Sequence, residues 1–176
     1  MLSTDPMILE TNRLRLVQWT MRQLEKLIEG PDAFTAAFGQ RVVDDYRGFP
    51  EALEFSLAKL TEPSADADWW APYLVIRRED EAMVGMGGFV GPPDQTGIVE
   101  FGYAIAPSCR GIGLATEAAT ALVRYSFGTG RVTVVRAHTL PSRNASTRVL
   151  EKCGFQQVGT STDPDEGEVW RWEKTK

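Results

Sequence analysis

The sequence predicts one mixed α/β (α+β) domain, a mostly antiparallel central sheet flanked by helices. Three observations predict it. Strand-like runs near residues 73–77, 82–91 and 97–105 are separated only by short turns, which makes an antiparallel meander. Downstream the pattern changes to helix, strand, helix, strand. The chain of 176 residues has the length of a single domain, 1–176, with no internal repeat, linker or low-complexity tract.

Residues 8–17 (ILETNRLRLV) alternate Leu14 and Leu16 with Arg13 and Arg15, which reads as a first strand. In MRQLEKLIEG, Met21, Leu24, Leu27 and Ile28 share a helical face, and Gly30–Pro31 stops the helix. Residues 31–49 carry Phe34, Phe38, Tyr46 and Phe49 among Gly and Asp without a firm period, so an aromatic loop is expected. A second helix begins after Pro50, with Leu53, Leu57 and Leu60 on one face. Residues 62–68 are polar and turn-forming, and the three-strand meander follows. Over 110–130, Leu114, Ala118, Ala121, Leu122 and Tyr125 recur at helical spacing. Residues 131–137 (RVTVVRA) are β-branched and apolar, a buried strand. A short helix spans 144–153, with Asn144 suited to its N-cap and Gly154 to its left-handed C-cap. The tail reads as residues 155–159, a loop rich in Asp and Gly, and a final strand over 169–173.

Composition narrows the classes. With 43% hydrophobic and 24% charged residues the chain resembles ordinary globular proteins. At this size roughly 70% of the unfolded surface is buried, so neither a metal nor a disulfide is needed for folding. No apolar run reaches the ~18 residues of a membrane span. The opening MLSTDPMILETNRLRL lacks a basic region followed by an apolar core, so no signal peptide is expected and the location follows as cytoplasmic. Cys109 and Cys153 are far apart and form no CxxC pair, and His138 is the single histidine, so no metal is expected. A net charge of −5 without a dense Lys/Arg cluster argues against nucleic acid or a membrane surface as partner. An acidic surface suits a cationic substrate such as an amine; it also serves simple solubility.

The informative segment is AIAPSCRGIGLATEAATAL, where a strand ends, two glycines follow and a helix starts at once. Glycine lets the backbone turn sharply and approach a ligand. The first helical N–H groups lack intrahelical partners and carry partial positive charge, which makes a phosphate pocket. Arg110 adds a charge able to pair with phosphate oxygens. A P-loop needs Gly-Lys-Ser/Thr, and the segment has no lysine. A dinucleotide fold needs a third small residue where Thr116 stands and an acid downstream, and 128–138 hold none. The remaining alternative is a tight strand–helix turn that binds nothing.

Arg110-x-x-Gly113-x-Ala115 resembles the pyrophosphate signature Arg/Gln-x-x-Gly-x-Gly/Ala of the GNAT superfamily of acyl-coenzyme A N-acyltransferases. GYAIAPSCRGIGLATEA resembles the superfamily's strand–loop–helix core, and NASTRVLEKCGF its second core motif. LETNRLRL resembles the first strand of the branch containing ribosomal-protein N-terminal acetyltransferases. The resemblance runs from about residue 8 to the end of the chain. It implies a strand over 99–105 that splays from its parallel neighbour 131–137. Main-chain groups at Phe101, Tyr103 and Ile105 would then pair with the pantetheine arm of acetyl-coenzyme A. It implies that Arg110, Gly111, Gly113, Leu114, Ala115 and Thr116 hold the pyrophosphate, and that Asn144 contacts the arm. Ser146 matches the serine proposed in this branch as general acid for the departing thiolate; other branches use a tyrosine a few residues on, absent here. A hydroxyl bonded to backbone within the first helical turn is the alternative for Ser146. A homodimer is compatible with the resemblance.

Similar enzymes transfer the acyl group directly, without a covalent enzyme intermediate. The chemistry needs a base for the amine proton, an N–H donor for carbonyl charge, a proton for the thiolate and a shared site that holds both reactants. Glu100 and His138 are the candidate bases. Glu100 shares a strand face with Gly102 and Ala104, and His138 follows the neighbouring strand. A solvent-facing strand charge and a loop histidine are the respective alternatives. Glu117, in the first helical turn, reads as a partner of the helix dipole. Cys109 adjoins the loop without an evident histidine, so no nucleophile is assigned. Trp69, Trp70, Tyr73, Phe34 and Phe38 are divided between core and acceptor pocket. The functional expectation is an N-acetyltransferase acting on a primary amine of a small molecule or a protein N-terminus. A non-catalytic acyl-coenzyme A-binding or sensing module is the rival; it would keep Arg110, Gly113 and Ala115 but lose the acid and base. A purely structural subunit would need a large exposed apolar patch, and none is signalled. Residues 20–60 and 160–168, which should shape the acceptor pocket, carry no motif.

Overall fold

The apolar alternation at the start of the chain builds a hairpin rather than the single strand expected over 8–17. In the computed structural model, which describes residues 6–46, 50–62 and 66–176, strand β1 (Ile8–Glu10) pairs antiparallel with β2 (Leu14–Gln18), Glu10 opposite Arg15. Thr11 closes the turn: its N–H donates to the Leu14 carbonyl and its hydroxyl accepts from the Leu14 N–H. Leu14 and Leu16 are fully buried while Arg15 between them is partly exposed. Phe49 and residues 63–65 of the expected turn lie outside the described residues.

Helix α1 (Met21–Glu29) opens on a capping box between Thr20 and Gln23 and buries Leu24 and Leu27. The segment expected as an aromatic loop then yields helix α2 (Pro31–Phe38), ended by Gly39 in the left-handed conformation. Gly30–Pro31 stops the first helix, and the same proline takes the first position of the second, where its missing N–H costs nothing. Phe34 and Phe38, one turn apart, meet with ring centroids 5.1 Å apart. Helix α3 (Pro50–Thr61) follows.

The meander forms as expected. Strands β3 (Tyr73–Arg77), β4 (Ala82–Phe89) and β5 (Ile98–Ile105) pair antiparallel, with Gly88 opposite Gly102 and Phe89 opposite Phe101. Helix α4 (Leu114–Gly128) crosses this sheet and buries Ala118 and Leu122 completely. A Cβ on Gly87 would come within 3.1 Å of Leu122, so helix and sheet approach closely there. Strand β6 is Val134–Thr139, three residues later than expected at its start. Arg131 is held at the helix end, its guanidinium over the Trp69 ring and paired with Asp66, so the strand begins after it. His138 therefore lies within the strand, not beyond it. Helix α5 (Ala145–Lys152) leads to β7 (Gln156–Asp163) and β8 (Gly167–Thr175), a hairpin that turns most of the expected polar loop into strand. Among the described residues eight strands form one sheet in the order β1-β2-β3-β4-β5-β6-β8-β7, with β5 and β6 the one parallel pair of strands. Among the described residues no helix is long and apolar enough to cross a membrane.

Candidate active site

The parallel pair is short. Ile98–Glu100 of β5 pairs with Val134–Arg136 of β6. Beyond it β5 stays with β4 as far as Ile105, while β6 follows β8 to Thr139. The two strands fork, and the backbone of β5 past Glu100 lacks a sheet partner on that side. A cleft of about 550 Å³ fills the fork, bordered by Tyr103 and Ile105, the Arg110–Thr116 loop, His138, Asn144 and Ser146. Phe101, expected beside Tyr103, stands at the base of the fork. Its ring stacks on Phe155 in the core, centroids 5.5 Å apart, and does not border the cleft.

The loop is shaped for an anion. Gly111 and Gly113 adopt φ of 80° and 85°, a conformation that costs other residues ~1–2 kcal/mol. No side chain caps α4, so its first N–H groups are unoccupied by the protein. A Cβ on Gly111 would meet nothing within 4 Å. Arg110 donates through Nε to the Ile105 carbonyl at 2.8 Å, which anchors the side chain and leaves the two terminal nitrogens for the cleft it lines. An open glycine cradle, bare helical N–H groups, a tethered guanidinium and an unpaired strand edge fit a pyrophosphate joined to an amide-bearing arm. That is the chemistry of coenzyme A.

Glu117 does more than face the helix dipole. Its carboxylate accepts from the Thr11 hydroxyl at 2.6 Å and from the Arg13 N–H and Nε, both at 2.7 Å. Arg13 also donates to the Ile112 carbonyl at 2.8 Å. The β1–β2 turn thus clamps the glycine loop. Burial pushes the Glu117 carboxyl up, but the Thr11 and Arg13 bonds outweigh it and hold the group below its usual range. A depressed carboxylate contributes stability above its unfolded pKa and loses it as pH falls through the folded one. Glu117→Gln is therefore expected to cost about 1–2 kcal/mol at neutral pH, discounted for the exposed arginine. The deficit shrinks in acid, and urea midpoints at pH 7 and pH 4 measure both values. Equal deficits at the two pH values would remove the charge from the clamp.

On α5, Asn144 caps the helix: its carboxamide oxygen accepts from the Thr147 N–H at 3.0 Å, and its own N–H donates to the Thr147 hydroxyl. The N–H donors of the carboxamide are what it retains for a ligand. The Ser146 hydroxyl lies 3.3 Å from the Tyr103 Oη, so its partner is a side chain from β5 rather than local backbone. Burial pushes the Tyr103 phenol up to about 12, against a smaller lowering by Ser146. The phenol stays protonated at neutral pH and can donate.

Glu100 and His138, separate candidates in the sequence, meet. Nδ1 of His138 is 2.9 Å from Oε1 of Glu100. The parallel register places Glu100 opposite Arg136, so Glu100, Gly102, Ala104 and His138 share one face of the sheet. The carboxylate is 42% exposed, but it faces the imidazole and not solvent alone. A neutral imidazole that donates Nδ1–H to Glu100 presents Nε2 as a proton acceptor. Cys109 is buried, and its sulfur neighbours Arg77 and Ser108 with no imidazole beside it. Trp69, Tyr73 and Phe34 belong to the core, and Phe38 packs on Phe34; Trp70 instead walls a recess on the α3 side of the sheet. Sequence reasoning missed the Tyr103 phenol and Arg13. The first was read only for its main chain, and the second was visible only as one arginine of an alternating strand.

The model of the acetyltransferase (GNAT) domain matches residues 13–156. The uncharacterized N-acetyltransferase YjdG of Bacillus subtilis is 28% identical over 152 residues, 84% of this chain and 89% of the relative. Two solved structures share the fold. RimL, a ribosomal alpha-N-protein acetyltransferase in complex with coenzyme A, superposes with a TM-score of 0.68 at 16% identity, covering 96% of this chain and 98% of that one. AAC(6')-Ib in complex with ribostamycin and coenzyme A gives 0.66 at 22% identity, covering 94% of each. The family match over most of the chain, on a fork and glycine loop suited to coenzyme A, makes this protein a member of the GNAT family of acyl-coenzyme A-dependent N-acetyltransferases.

Proposed function

We propose that the protein moves an acetyl group from acetyl-coenzyme A directly to a primary amine of a small molecule or a protein N-terminus. The observation that carries this reading is the cleft itself, where His138, held by Glu100, and Ser146, held by Tyr103, both open beside the unpaired edge of β5. The thioester supplies an activated acyl group, and the protein's residues supply proton traffic and position. Nε2 of His138 accepts the proton that the amine loses as its nitrogen attacks, and Glu100 stabilises the resulting imidazolium. The Ser146 hydroxyl gives a proton to the departing sulfur, and the Tyr103 phenol donates into the Ser146 oxygen as it does so. Arg110, the loop N–H groups and Asn144 hold the cofactor so that the reacting atoms stay together. Structural relatives solved with an aminoglycoside or named for a ribosomal protein support an amine acceptor of either kind.

The test is thiol release from acetyl-coenzyme A with a panel of primary amines and short peptides, with mass spectrometry of the acetylated product. Turnover is expected with wild type, and Ser146→Ala should lower kcat roughly 10–100-fold, short of the full range for general acid catalysis because Tyr103 remains nearby. Thiol release no faster than the uncatalysed rate with every amine would end the reading.

A further inference from the structure

The recess walled by Trp70 carries a statement about which amine. It holds about 180 Å³ on the face of the sheet that Glu100 and His138 share, and it meets the cofactor cleft at Tyr103 and Ala104, which border both. Phe55, Trp70, Pro72, Met86 and Val90 form its walls, and no described residue that lines it bears a charge. An apolar cavity of ~150 Å³ admits benzene, so the recess has room for one ring or branched alkyl group.

Trp70 meets Phe55 edge-on with centroids 5.7 Å apart, and a Cβ on Gly91 would fall 2.5 Å from the indole, so the ring lies directly on that backbone. The Lys59 ammonium, paired with Glu62, sits 5.7 Å from the same ring and helps to hold it. Of the glycines in its lining, Gly87 and Gly88 are packed closely by Leu122 and Pro72, but Gly102 is not. Gly102 has an ordinary φ, and an added Cβ there would meet nothing within 4 Å. Neither backbone geometry nor neighbouring atoms demand the missing side chain. The space is left for something outside the chain.

We infer that the acceptor is an amine bearing a single apolar group of phenyl or leucyl size, and not a polycation. This rests on the transferase reading for its chemistry. The recess takes the apolar group by desolvation and ring contact, and the nitrogen is left where strand β5 passes from the recess to the cofactor cleft. A free arylalkylamine and a peptide with an aromatic or branched first residue present the same chemistry.

The experiment uses the full chain with coenzyme A present. 2-Phenylethanol, which cannot be acetylated at nitrogen, is titrated while Trp70 fluorescence is followed, with Trp70→Phe as the control that identifies the signal. Saturable binding is expected, and Gly102→Leu, which fills the floor, should weaken it at least about tenfold while coenzyme A still binds by calorimetry. In turnover, 2-phenylethylamine and a Phe-Ala-Ala peptide should each exceed spermine and ribostamycin in kcat/KM by about tenfold or more, and the larger of the first two identifies the source. Absent Trp70-dependent binding, or preferred turnover of the polycations, overturns the inference. Binding of 2-phenylethanol without acetylation of any amine keeps the recess and discards the transferase reading.

Discussion

A His138→Ala variant is expected to lose about 10²–10⁴-fold in kcat, the range that a positioned general base contributes. The KM for acetyl-coenzyme A should change by less than about threefold, because in the proposed mechanism the imidazole acts on the amine and not on cofactor binding. The geometry sets the ranking of the two partners. Nδ1 faces the Glu100 carboxylate at 2.9 Å, so Nε2 is the nitrogen free to take a proton, and in the proposed mechanism Glu100 orients the ring and stabilises its charged form. Glu100→Gln retains an acceptor for Nδ1–H but removes the negative charge, so its loss should be smaller than that of His138→Ala. If Glu100→Gln is the more damaging change, the carboxylate is the base and the imidazole its support. If both variants keep more than about a third of wild-type activity, water removes the proton.

Loss of the anion cradle should be as severe for binding. An Arg110→Ala, Gly113→Glu double variant is expected to weaken coenzyme A affinity at least about 100-fold, some 2.7 kcal/mol. Three causes act together. The tethered guanidinium disappears. Glutamate is forced into the left-handed conformation at φ 85°, with its Cβ 3.3 Å from the Arg13 guanidinium. Its carboxylate then occupies the helix N-terminus that would receive phosphate. Calorimetric titration measures the affinity, and thermal unfolding without ligand reports whether the fold survives. A folded variant that binds as tightly as wild type would place the pyrophosphate elsewhere, with the larger groove between Arg13 and α4 the next site to examine.

The readable parts of this chain were those written in local chemistry. The glycine pair before α4, the turns of the meander and the Asn144 cap are each set by residues a few positions apart. Errors arose where neighbouring residues serve two elements. Pro31 both ends α1 and begins α2, and the β1–β2 turn at Thr11–Asn12–Arg13 interrupts an alternation that looks continuous. Proline at a first helical position and Gly39 past the end were signals for α2 that the aromatic spacing concealed. The site was legible as a residue list but not as pairs. Glu100 reaches His138, Tyr103 reaches Ser146 and Arg13 reaches Glu117 only through strand register and helix docking, across 38, 43 and 104 positions of sequence.

The fork between β5 and β6 has a mechanical meaning. Among the described residues the sheet consists of two plates, one of five strands and one of three, riveted along a seam of three residue pairs. Past the seam, the Phe101–Phe155 stack and the Tyr103–Ser146 bond set how wide the plates stand apart. A ligand seated in the gap would bond to the unpaired edge of β5 in place of the absent strand hydrogen bonds. Cohesion between the halves is thus partly a property of the ligand pool. At one hundred times its Kd the ligand adds about 2.7 kcal/mol to the folded state, and a cell depleted of it would hold a looser protein.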